Sequence, residues 1–100
     1  MQLRVFADSL GAFYLEISSP SLSYDRRLFV PMVARGDTRL RKVDERTLVT
    51  VRYAGSEFKV PYLLIHSRQA ALGNWSLIGE IDENDSRNVL NHILDILAWD

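Results

Sequence analysis

Hydrophobic and polar residues alternate with a period of two through the opening of the chain. Leu3, Val5 and Ala7 fall on one face of a strand, with Gln2, Arg4 and Asp8 on the other. After Ser9-Leu10-Gly11 the alternation resumes, Phe13, Leu15 and Ile17 against Tyr14, Glu16 and Ser18, and the two segments predict a hairpin. Ser18-Ser19-Pro20-Ser21 marks a loop. Leu28 to Val33 is an unbroken apolar run, as expected of a strand buried on both faces. Pro31 within it has no N–H for a ladder and predicts an edge or a bulge. Val49, Val51 and Tyr53 then alternate against Leu48, Thr50 and Arg52, Ala54-Gly55-Ser56 turns the chain, and Phe58 and Val60 lie on the return strand. Tyr62-Leu63-Leu64-Ile65 and Trp75-Ser76-Leu77-Ile78 are further strand candidates. His66 to Asn74 between them reads as a loop or a short helical turn.

The period changes near the end. Val89, Leu90, Ile93, Leu94, Ile96 and Leu97 recur at helical spacing, with Asn84, Asp85 and Ser86 as N-cap candidates. Asp82, Glu83 and Asp85 sit where the positive end of the helix dipole favours acids. The expected fold is one domain over residues 1–100, mainly β with one C-terminal helix, as a small barrel or a curled antiparallel sheet.

At about 100° per residue the six apolar positions form one stripe, and Asn88, Asn91, His92 and Asp95 fall in the opposite arc. Trp99 follows Asp95 by four residues and projects into that polar arc. An outward Trp is a residue type enriched in binding hot spots. The alternative is that the last turn frays and Trp99 folds back onto the surface or a second subunit.

Composition is that of a folded globular protein, 47% hydrophobic and 25% charged, so disorder is excluded. There is no cysteine, which removes disulfides and thiolate metal sites. The opening Met1-Gln2-Leu3-Arg4-Val5 lacks the long apolar run of a signal peptide, and nothing approaches the roughly 20 apolar residues of a membrane span. A cytoplasmic location is the expectation. The net charge of −1 is segregated: residues 26–68 hold ten Lys and Arg against four acids, whereas residues 69–100 hold one Arg against six. Such a basic middle either attracts an acidic partner or is a solvated loop. Its longest charged stretch, residues 35–46, is the longest loop expected.

Enzyme chemistry finds little support. His66 and His92 have no metal-like spacing to another ligand. Ser67 adjoins His66, but neighbours in a strand face opposite ways. The five glycines do not cluster into a phosphate-binding loop. No cofactor is expected. Arg35, Arg39, Arg41 and Lys42 suit a phosphate backbone, yet no aromatic residues interleave with them and Asp37, Asp44 and Glu45 dilute the charge.

Several blocks together resemble the CcdB family of bacterial addiction-module toxins. They are Met1-Gln2-Leu3-Arg4-Val5-Phe6, then Arg26-Arg27-Leu28-Phe29-Val30-Pro31-Met32, then Ile78-Gly79-Glu80, and the ending Ile96-Leu97-Ala98-Trp99. The similarity spreads over the whole chain and is weakest over residues 35–75. It implies an SH3-like barrel or curled sheet with a C-terminal helix, in a homodimer. It also implies a non-enzymatic toxin that binds the DNA gyrase A subunit, traps the cleaved-DNA state and is neutralised by a CcdA-like antitoxin. Trp99 then becomes the gyrase contact, with Asp95 and Asp100 beside it. The sequence departs from the family there: Asp100 stands where Gly and Ile usually follow the Trp, and Asp95 stands in place of the usual Asn. Both changes add negative charge next to Trp99, which suits a pocket that presents arginine but weakens or abolishes binding to one shaped for Gly and Ile. Two other functions stay open: an endoribonuclease of the related MazF/Kid group using the basic middle as an RNA groove, and a non-toxic homologue acting only as an interaction protein.

Overall fold

The computed structural model describes residues 2–18, 26–69 and 73–97. It is mainly β, with one helix. The strands are β1 (Arg4–Ala7), β2 (Phe13–Glu16), β3 (Arg26–Ala34), β4 (Leu48–Tyr53), β5 (Ser56–Pro61), β6 (His66–Gln69) and β7 (Ser76–Glu80), followed by helix α1 (Glu83–Leu97). They form one antiparallel sheet in the order β4-β5-β3-β2-β1-β7, with β6 pairing β3 off this path.

The sheet is curled. Five steps of about 4.8 Å would place β4 and β7 some 24 Å apart in a flat sheet. Yet the Tyr53 hydroxyl on β4 donates to the Ile78 carbonyl on β7 at 2.9 Å. The same curl brings the Phe13 ring on β2 within 6.0 Å of the Tyr53 ring. Gly79 makes the seam possible, since a Cβ there would lie 2.7 Å from the Tyr53 hydroxyl oxygen. The register between β1 and β7 skips Ile78, and the bulge this creates adds twist at that edge.

Inside the curl lies the core. Val5, Leu15, Val30, Val51 and Val60 point inward at period two, and Ile81, Val89 and Ile93 close it from the helical end. The turn from β4 to β5 has positive φ at both Ala54 (51°) and Gly55 (80°), the backbone that matches the twist of a tight hairpin.

Pro31 was expected at an edge or bulge, but β3 is an interior strand. The Ile17 N–H donates to the Leu28 carbonyl. By the alternation of an antiparallel ladder, Tyr14–Pro31 is therefore a non-hydrogen-bonded pair, and the Pro31 nitrogen faces away from β2. On that side β3 pairs β6 only through Phe29 and β5 only from Val33. The missing N–H falls in the gap, where no ladder bond is lost.

Two further expectations change. Tyr62 to Ile65 is a turn, closed by the Leu64 N–H on the Pro61 carbonyl, and the strand begins at His66 instead. The helix is capped by Asp82, whose carboxylate accepts from the Asp85 N–H at 2.7 Å, ahead of the candidates Asn84, Asp85 and Ser86. The long charged loop is present between β3 and β4 and contains two short 3-10 turns, Thr38–Leu40 and Glu45–Thr47. Ser19, Pro20 and Ser21 of the predicted loop lie outside the described residues, as do residues 70–72.

Candidate functional site

Helix α1 is held by its first two turns. Ser86, wholly buried, accepts the Leu3 N–H at 2.9 Å and donates to the Asp82 carbonyl at 2.7 Å, which ties the N-terminal segment to the helix start. Asp85 accepts the Arg52 N–H at 2.9 Å, so the helix start also covers the free edge of β4. Val89 and Ile93 then enter the core one turn apart.

The outer arc of the helix carries Asn88, Asn91 and Asp95, all exposed as the helical period predicts. His92 departs from that arc. It is half-buried, its ring 5.2 Å from Tyr62 and its Nδ1 2.8 Å from the Asn88 carbonyl. Leu94 departs from the apolar stripe and is 57% exposed, because it lies about 100° round the helix from Ile93. Leu94 and Asp95 thus form an apolar and acidic step beyond the last described core contact. Trp99 and Asp100, the other two residues assigned to a gyrase contact, lie outside the described residues.

The opposite, convex face of the sheet has a second set of buried groups. Phe6 and Phe29 meet edge to face at 5.5 Å, and Trp75 packs against Phe29 at 5.0 Å while stacking on Tyr14 at 4.1 Å. Beside them Glu16, only 3% exposed, accepts hydrogen bonds from both Arg4 and Arg27, and Arg27 also lies over the Phe6 ring. Burial pushes the Glu16 carboxyl up, but the hydrogen bonds and charges of Arg27 and Arg4 outweigh it and hold the group below the ordinary carboxylate range. This cluster is internally satisfied and reads as packing.

Further along the same face lies a pocket of about 260 Å³. Its apolar walls are Pro31 and Val33 of β3, Leu40 and Val43 of the charged loop, and Pro61 and Leu64 at the end of β5. Tyr14, Arg39 and His66 complete its lining. The loop that forms one wall is fixed by a repeated device. Asp37 caps the first 3-10 turn, accepting from the Arg39 N–H and its guanidinium, and Asp44 does the same for Arg46 in the second. The bonds from Arg39 lower the Asp37 carboxyl to about 2, and those from Arg46 lower Asp44. Two of the basic residues counted in the sequence are thereby neutralised locally. Arg41 and Lys42, both exposed and without an ion-pair partner among the described residues, are not.

Among the described residues no group of three or more His, Asp or Glu side chains converges as a metal site. No described helix is long and apolar enough to cross a membrane. Comparison of the chain with protein-family models, with curated proteins and with solved structures finds no match.

Proposed function

We propose that this chain is the toxin of a bacterial toxin–antitoxin module, a non-enzymatic protein that binds the DNA gyrase A subunit and traps its cleaved-DNA complex. In this reading the curled sheet is an SH3-like barrel of the CcdB kind, the working form is a cytoplasmic homodimer, and a CcdA-like antitoxin holds it inactive. The ordered series of sequence blocks that resemble CcdB supports it. The observation that carries it furthest is the solvent-facing step of α1. Leu94 and Asp95 stand exposed on a helix whose inner side is locked into the core through Ser86, Val89 and Ile93. A rigid helix with an apolar and acidic outer step suits the presentation of a contact residue such as Trp99 to a partner pocket, because little ordering entropy remains to be lost on binding.

Expression of the chain without antitoxin tests this. Growth arrest with gyrase–DNA adducts is expected, and gyrase altered in its Trp-binding pocket should restore growth. Arrest accompanied by sequence-selective RNA cuts and no adduct would instead assign it to the MazF/Kid group. Harmless expression with retained antitoxin binding would mark a non-toxic homologue.

A further inference from the structure

The convex-face pocket is not used by the proposed gyrase contact. Pro31, Val33 and Pro61 reach it from the side of the sheet opposite to the core that α1 covers, since Val30, Met32 and Val60 alternate with them and face inward. Its walls are preformed. β3 is an interior strand, and the loop wall carrying Leu40 and Val43 is pinned by the Asp37 and Asp44 caps. At about 260 Å³ the space is smaller than a drug-sized site but larger than the roughly 150 Å³ apolar cavity that accepts benzene. One substituted six-membered ring fits it. Three polar side chains line the same space, Tyr14 from β2, His66 from β6 and Arg39 from the charged loop, and no carboxylate does.

Those polar side chains specify the chemistry of a ligand. Arg39 commits its backbone N–H, Nε and Nη2 to Asp37, which fixes the guanidinium and leaves Nη1 without a protein partner among the described residues. The His66 ring likewise has no hydrogen-bond partner among the described residues. A purely apolar occupant would cover these groups without pairing them, which is costly. The occupant therefore brings an acceptor. Because Asp37, at 2.8 Å, already balances the Arg39 charge, that acceptor needs no charge of its own, and a carboxylate would meet Asp37 as a like charge. Tyr14 and His66 stand edge to face with centroids 6.3 Å apart, an arrangement that a third flat ring extends. We propose that the pocket binds an uncharged single-ring aromatic or heteroaromatic molecule bearing a carbonyl oxygen. Its ring lies against Pro31, Leu40, Val43 and Pro61, and its oxygen accepts from Arg39 Nη1.

A methyl-detected NMR titration with benzamide tests this. Saturable shifts should map to Val33, Leu40, Val43 and Leu64, with a Kd of about 1 mM or below, which about nine non-hydrogen atoms can supply. Three controls probe the ligand class. Benzoate adds a negative charge, benzylamine a positive one, and cyclohexanecarboxamide replaces the aromatic ring; each should bind at least about threefold more weakly. Val43→Trp fills the space and should abolish binding. Arg39→Met keeps the side-chain stem, removes the donor and should weaken benzamide binding at least about fivefold. Arg39 is exposed and Val43 half-buried in the surface loop, so both variants should keep the fold, which thermal melts check. No binding of benzamide, shifts confined to other methyls, a control that binds as tightly, or undiminished binding by either variant would each overturn the proposal. The outcome is separate from gyrase binding, since no residue lining the pocket belongs to α1.

Discussion

Tyr53 and Ile78 stand on the two end strands of a six-strand path, yet the hydroxyl of one donates to the carbonyl of the other at 2.9 Å. That contact, with Gly79 beneath the Tyr53 ring, closes the curl. Tyr53→Phe removes one partly solvated hydrogen bond and should cost about 0.5–1 kcal/mol. Gly79→Ala forces a Cβ into the ring and should cost about 1–3 kcal/mol. Because both break the same contact, the double variant should cost less than their sum. Urea unfolding of the four proteins measures this, and strict additivity would show that the seam is not a single unit.

Much of this architecture is legible in the residues. The hairpin of β1 and β2, the hairpin of β4 and β5 and the helix follow from their periods, because in each the residues that enter the core recur at the period of the element. The convex aromatic cluster was not legible. Phe6 shares its strand face with Arg4, and a period-two reading classes that face as polar, whereas Arg4 and Arg27 neutralise Glu16 and leave room for Phe6 and Phe29. Tyr62 to Ile65 misled for a related reason: only Tyr62 is buried, while the apolar Leu63, Leu64 and Ile65 stand about half exposed after the turn, so propensity and burial part company. The pocket had no linear signal at all, since Pro31, Leu40, Pro61 and Leu64 meet only through the sheet. Of the candidate site, Asp95 lies on the predicted arc, while Trp99 and Asp100 rest on sequence.

Ser86 offers a second check. Its hydroxyl accepts the buried Leu3 N–H at 2.9 Å. Ser86→Ala should destabilise the protein by about 1–3 kcal/mol by orphaning that donor. A loss below about 0.5 kcal/mol in a denaturant titration would show that the strand–helix tie is unimportant.

Acid sensitivity should centre on Glu16. Its folded-state carboxyl lies below the ordinary value of 4.5, so its stabilising contribution is complete above that pH and is lost as pH falls through the lower folded value. Asp37, at about 2, and Asp44 titrate in the same direction but stand in solvent, where an ion pair contributes little. Wild-type stability should therefore be flat from neutral pH to about 5 and fall below it. Glu16→Gln should be less stable at pH 7 by about 2 kcal/mol and show a shallower acid limb. Parallel thermal melts across pH read both. An acid limb unchanged by the substitution would assign it elsewhere.

The outer step of α1 separates binding from folding. Leu94→Ser and Asp95→Lys change exposed positions and should alter stability by no more than about 0.5 kcal/mol. Each should nonetheless weaken gyrase binding, by roughly tenfold for the charge reversal. Unfolding curves paired with gyrase pull-down would reveal the opposite pattern if the step were only structural.

The most direct measurement is a calorimetric titration of the gyrase A subunit into the purified protein and into its Trp99→Ala variant. Wild-type protein should bind saturably, and the variant, equally folded, should bind at least about 100-fold more weakly, as expected when a central aromatic anchor is truncated. Absence of binding by the wild type, or equal affinity of the two proteins, would contradict the assignment of this chain as a gyrase-binding toxin.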